Sequence, residues 1–370
     1  MNIIPRISVK AVQESGSTTQ QATANYFDKN GNGILELEES DRFQKAKIEK
    51  TDKAIKIINA DGSVDIFENM SIEHDEEYYS SGTIPVAVID MFDTTAGNGW
   101  HGKHVCNMMK SVNPDISITK FDNSPTKTYN KFQMAVYNLI SKNPKLDKFC
   151  SKHQPFKSIV NNILEDGQQT DAVEKCFDEV IQQMNNGKKF QAVNLSASQD
   201  CSYPEINRLV GNELGVEITP ENIAKYKKQI KEVLETKQNK KFDSVGDPVK
   251  IKQTLDIIHK IESLNIPVYL ASSYKNGKED VFNIWALADN AKCIEGGKPQ
   301  ENDEMKTASY VSSSSLSIDE TGKKRIENSI YYNQEAYKSP DSDERISEIA
   351  DVSTSLATPM ALAKDFKKKT

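Results

Sequence analysis

The stretch Ser353-Thr354-Ser355-Leu356-Ala357-Thr358-Pro359-Met360 is a run of small hydroxyl residues that passes straight into Met360-Ala361-Leu362-Ala363. Small polar residues followed by good helix formers mark a helix start. This sets the Ser355 hydroxyl among free backbone N–H groups at the positive end of a helix dipole, where negative charge on oxygen is stabilised. A serine hydroxyl is a weak nucleophile at neutral pH and needs a base, such as a histidine held by a carboxylate. Val86-Ala87-Val88-Ile89-Asp90 is an apolar run that ends in a carboxylate, and His101-Gly102-Lys103-His104-Val105 offers two imidazoles shortly after it. Asp93 is a second carboxylate three residues past Asp90.

In the order Asp, His, Ser, the segments VAVID, HGKHV and STSLATP resemble those of the subtilisin-like serine proteases, the subtilase family. The resemblance implies an Asp90-His101-Ser355 triad and a serine endopeptidase acting through an acyl-enzyme. It makes the first histidine of the H-G-x-H segment the base, with His104 a packing residue. It implies that Asn194-Leu195-Ser196-Ala197 lies along a substrate backbone, with Ser196 a substrate-binding residue. The chain departs from the family in places. Asp90 is followed by Met91-Phe92 where the family has a glycine close behind, and Ser353 stands where it has another. After Ile266-Pro267-Val268-Tyr269-Leu270-Ala271 the family's oxyanion asparagine falls on Tyr274 without a gap, or on Asn276 with two inserted residues; Asn276 is the expected donor. These departures keep an alternative open, a catalytically impaired pseudoprotease that binds peptides or partners.

A second chemistry sits near the start. Asp28, Asn30, Asn32, Ile34, Glu36 and Glu39 occupy the ligand positions of a twelve-residue EF-hand calcium loop, and Gly33 stands at its sharp turn. Hard oxygen donors in this pattern suit Ca2+, so calcium is the expected cofactor. The EF-hand reading covers residues 18–48. Asn59, Asp61 and Asp65 have partial loop spacing, but β-branched flanks and Asp61-Gly62 read better as a β-hairpin over 54–68.

The 370 residues allow one large α/β domain and a small appendage. A net charge of −7 disfavours nucleic acid, and no apolar run approaches the ~20 residues needed to span a bilayer. The expected partner is a peptide or protein substrate. The five cysteines are scattered without CxxC spacing, and no signal peptide is recognisable, so a cytoplasmic location is expected, with non-classical secretion as the alternative. Residues 1–80 read as the EF-hand and hairpin region, with the acidic run at Glu73 to Glu77 as a linker. Residues 81–370 read as the peptidase domain, with a helical insertion at 124–168. There, apolar strands at 84–89, 116–121, 192–196 and 266–271 alternate with amphipathic helices at 171–184 and 249–264. This spells an α/β, subtilisin-like three-layer fold: a mostly parallel sheet with helices on both faces.

Overall fold

The computed structural model describes residues 46–70, 72–92, 100–124, 168–244, 247–299, 305–308, 310–328, 331–332, 349–350 and 354–367, with isolated residues before 46 and between 135 and 149. The insertion expected at 124–168 lies largely outside the described residues.

Strands β1 (Lys47–Lys50), β2 (Ala54–Ile58) and β3 (Val64–Glu68) form an antiparallel sheet. The Asp61-Gly62 turn between β2 and β3 has Gly62 at φ +85°, a conformation that costs a glycine little. The acidic run after it is not a free linker. Asp75 accepts a hydrogen bond from the Tyr78 N–H and caps a short helix, α1 (Glu76–Ser80), which buries Tyr79.

The larger unit is a seven-stranded, mostly parallel sheet. Its path begins with β4 (Ile84–Asp90), helix α2 (Trp100–Val112) and β5 (Ile116–Asp122), a parallel crossover unit. Helix α3 (Gln168–Asn185) leads to β6 (Ala192–Leu195), which pairs with the other side of β4. Helices α4 (Lys227–Glu235) and α5 (Ile251–Ser263) precede β7 (Val268–Ala271), followed by β8 (Ala291–Pro299). On the far edge of β8 lie β9 (Met305–Thr307), antiparallel, and β10 (Ile326–Asn328), parallel. The last described element is α6 (Thr354–Phe366).

Alternate residues of each strand point to opposite faces, and the two cores follow that period. Ala87, Ile89, Val193, Leu195, Val268 and Leu270 join the apolar faces of α3, α4 and α5. Val86, Val88, Ile116, Ile118 and Tyr269 join those of α2 and α6. The result is a three-layer α/β arrangement. Two stretches differ from the expected elements. The sequence does not single out strand β8, and an antiparallel pair at Lys241–Ser244 and Asp247–Lys250 takes up the start of the helix expected at 249–264, so that α5 begins only at Ile251.

The spatial order β5-β4-β6-β7-β8 reverses sequence direction at β4. In open parallel sheets, loops leaving the strand ends on the two sides of such a switch part and open a crevice. Here it opens at the carboxyl ends of β4 and β6.

Candidate active site

Asp90 is the last residue of β4 and is only 3% exposed. His101 lies in the first turn of α2, and Ser355 is the second residue of α6. Asp90 and His101 are eleven residues apart in one strand–helix unit, and the fold brings Ser355 to them across 254 residues of sequence. His101 Nδ1 lies 2.7 Å from Asp90 Oδ1, and His101 Nε2 lies 2.9 Å from Ser355 Oγ. With the carboxylate accepting the Nδ1–H, the neutral imidazole presents an unprotonated Nε2 to the serine hydroxyl.

Local packing enforces this line. The Gly102 N–H donates to Met91 O at 3.0 Å, and a Cβ on Gly102 would stand 2.6 Å from both that oxygen and the Phe92 ring. A side chain there would push the β4 exit away from the start of α2. Asp90 Oδ1 also accepts the Met91 N–H at 2.7 Å, and Asp122 Oδ1 accepts those of Phe92 and Ser124, both at 2.9 Å. These bonds hold Met91 and Phe92 at the exit of β4, although neither is the glycine that the family places there. Within α6, Pro359 has no N–H to offer the Ser355 carbonyl four residues back.

Burial disfavours a charged His101, but the charge and hydrogen bond of Asp90 prevail and its pKa stands above the ordinary value. The neighbouring His104 is fully buried. Burial, with smaller contributions from His101 and Lys103, pushes its pKa down to about 3. It therefore stays neutral at pH values where His101 titrates.

The triad opens into a cleft of about 250 Å³ lined also by Asn123, Ser196, Ala197, Ser198, Ala271 and Tyr274. Asn194 Nδ2 donates to Ser196 Oγ at 2.8 Å. The walls after β6 and β7 are tied by Asn283, which is 1% exposed; its Nδ2 donates to Ala271 O at 2.9 Å and Ala197 O at 3.2 Å. Nothing in the local sequence singles out Asn283, because a buried bracing amide is defined only by the two loops it joins. A larger cavity of about 760 Å³ lies between Tyr203 and Pro220. It contains none of the triad, so convergent chemistry, not size, identifies the site.

The structure thus brings together Asp90, His101, Ser355 and Ser196. It does not bring Asn276 to them. Asn276 is exposed, paired through its backbone with Glu279 in a tight turn, and outside the cleft lining; Tyr274 occupies the cleft instead. The two-residue insertion that would have aligned Asn276 is absorbed by that turn. Asp93 lies outside the described residues, as do Asp28, Asn30, Asn32, Glu36 and Glu39 of the expected calcium loop. Ile34 lies in a two-residue strand, Ile34–Leu35, paired with Ile7–Ser8. Among the described residues no group of three His, Cys, Asp or Glu side chains is placed to hold a metal, and no helix is long and apolar enough to cross a membrane. No known protein family, curated protein or solved structure was found to match the chain.

Proposed function

We propose that the protein is a serine endopeptidase of the subtilisin type, with Ser355 as nucleophile, His101 as general base and Asp90 as the group that orients His101. The observation that carries this reading is the unbroken line Asp90 Oδ1–His101 Nδ1, His101 Nε2–Ser355 Oγ, at 2.7 and 2.9 Å in a cleft at the strand switch point. Isolated Ser–His pairs are common on surfaces. A buried carboxylate behind the histidine and a helix N-terminus behind the serine are the other parts that acyl transfer needs.

In the proposed reaction, Ser355 Oγ bonds to the carbonyl carbon of a peptide while its proton passes to His101 Nε2. The carbonyl π pair moves onto oxygen. Collapse of the tetrahedral adduct re-forms the carbonyl and breaks the C–N bond, and the leaving amine takes the proton from His101. Water repeats the sequence on the acyl-enzyme and frees Ser355. Asp90 stays ionised and stabilises the imidazolium. The segment Ser196 to Ser198 lines the cleft, where an extended substrate chain would pair along it.

A peptide-binding pseudoprotease is the competing reading, favoured by the displacement of Asn276 from the cleft. A fluorophosphonate probe decides between them, since it reacts only with an activated serine. Wild-type protein should label, and Ser355→Ala and His101→Ala should not. A folded wild type that resists labelling would establish the binding module instead. Calcium belongs to the proposal through its donor set: one loop offers three carboxylates, two amide oxygens and a backbone carbonyl, a hard-oxygen set with no sulfur or nitrogen ligand. No step of the peptide chemistry passes through it.

A further inference from the structure

Acyl transfer needs more than a nucleophile and a base, because the carbonyl oxygen gains a full charge in the tetrahedral adduct. Building on the peptidase reading above, we propose that the Tyr274 hydroxyl is the side-chain donor of the oxyanion hole, acting beside the backbone N–H of Ser355. A phenol would then do work expected of an amide.

The argument begins with position. Tyr274 follows the carboxyl end of β7, and with Ala271 it lines the same cleft as His101, Thr354 and Ser355. Its hydroxyl is also anchored at the right place. The Thr354 N–H donates to Tyr274 Oη at 3.1 Å. Thr354 opens α6 and directly precedes the nucleophile, so the phenol oxygen sits at the positive end of that helix's dipole. A hydroxyl oxygen that accepts a hydrogen bond is polarised into a stronger donor. The ring is held as well. Its centroid lies 6.1 Å from that of Tyr310 at an interplanar angle of 23°, the backbone bridges to Val311, and the Lys275 N–H donates to Tyr310 O at 2.9 Å. Although Tyr274 is 44% exposed, these contacts fix its hydroxyl before substrate arrives. A fixed donor avoids reorganisation as charge develops, which is what makes an oxyanion hole effective.

The step balances without any further reactant. The Ser355 Oγ–carbon bond forms, the carbonyl π pair becomes the oxyanion lone pair, and the serine proton rests on His101. The Tyr274 O–H and the Ser355 N–H donate to the oxyanion and keep their protons throughout.

The test compares full-length wild type with Tyr274→Phe, which keeps the ring and removes only the donor. The readouts are the fluorophosphonate labelling rate at Ser355, kcat and KM on an internally quenched peptide mixture, and thermal melting. Labelling rate and kcat should fall by about 10²–10³ with KM nearly unchanged, whereas Asn276→Ala should behave as wild type. A Tyr274→Phe protein that melts, labels and turns over as wild type overturns the proposal. If Tyr274→Phe melts early, Tyr274→Gln and Tyr274→Leu decide: the amide donor should retain clearly more activity than the apolar residue, and equal rates overturn the assignment. A folded wild type that does not label removes the peptidase reading and this role with it, which separates that failure from failure of Tyr274 alone.

Discussion

The proposed catalytic centre reduces to one imidazole held between a buried carboxylate and a hydroxyl. The His101 pKa is set by opposition: burial lowers it, and the charge and hydrogen bond of Asp90 raise it by more. The sign has two consequences. A raised folded-state pKa means that the Asp90–His101 pair adds stability below the ordinary imidazole pKa, and that this is lost as pH rises through the folded value. Proton abstraction from Ser355 needs the neutral ring, so peptidase activity should rise over the same interval in which that stabilisation is given up. Asp90→Asn removes the raising influence and leaves burial. The activity limb should then move to lower pH, and kcat should fall by roughly 10⁴ through loss of the productive tautomer. A pH–rate profile of both proteins checks this; an unmoved limb would mean that Asp90 does not control His101. At this scale the triad was readable in the sequence because each member stands at a strand end or helix start, and such places carry short local signals. The choice between Tyr274 and Asn276 was not readable. Both lie in an aperiodic loop, and only the Asn276–Glu279 turn reveals that the two extra residues leave the cleft.

Elements act here as levers that bring those residues to one point. Strand β4 and helix α2 meet at Gly102, where a Cβ would come within 2.6 Å of a backbone oxygen and an aromatic ring. The ring can shift, but the Met91 carbonyl belongs to the residue directly after Asp90, so Gly102→Ala should lengthen the Asp90–His101 contact. The expected result is a loss of labelling and turnover of at least tenfold, with helix content retained by circular dichroism and a modest drop in melting temperature. Wild-type turnover in that variant would show that the loop yields without moving Asp90. The legible elements are those whose burial shows in their composition. Val86 to Ile89 and Val268 to Ala271 are continuous apolar runs because both sheet faces are covered. Strand β8 escaped because it reads Ala-Lys-Cys-Ile-Glu-Gly-Gly-Lys-Pro, with a carboxylate at its centre. Glu295 is nevertheless fully buried, its oxygens accepting from the Thr307 hydroxyl at 2.5 Å and the Ser314 N–H at 3.2 Å. Hydropathy treats such a charge as exposed, since the partners that satisfy it come from a later part of the chain. Helix α1 was hidden for a related reason. Its acidic residues suggest a solvated linker, while the buried Tyr79 makes it a docked helix.

On the scale of the whole molecule, α1 and the residues before it join the N-terminal sheet to the helix that carries His101. Asn107, on α2, donates from Nδ2 to Met70 O at 2.8 Å and Ile72 O at 2.9 Å, while its Oδ1 accepts from the Tyr79 hydroxyl at 2.8 Å. One turn on, Lys110 Nζ donates to Ser81 O at 2.9 Å, Pro114 O at 2.8 Å and Ile116 O at 3.0 Å. Each of these bonds contributes about 0.5–1.5 kcal/mol net, because undocking exchanges it for a bond to water. The calcium loop proposed at Asp28 to Glu39 precedes β1 in the chain, so stabilising it should be felt beyond its own residues. A ligand that binds only the folded form adds stability in proportion to the logarithm of its concentration over Kd. Where the bound module is docked, that gain should reach the larger unit. Calorimetry of the full chain should therefore show one transition that calcium moves upward and a chelator moves downward. Glu39→Gln should abolish most of that shift and Glu38→Gln little of it, because the twelfth loop position supplies the bidentate carboxylate. Asn107→Ala should separate the coupling from the binding. Calcium heat should persist, but the melt should split, with only the lower transition following calcium. A single calcium-sensitive transition in Asn107→Ala would show that the units are joined elsewhere, and no calcium heat in the wild type would remove the metal from this account.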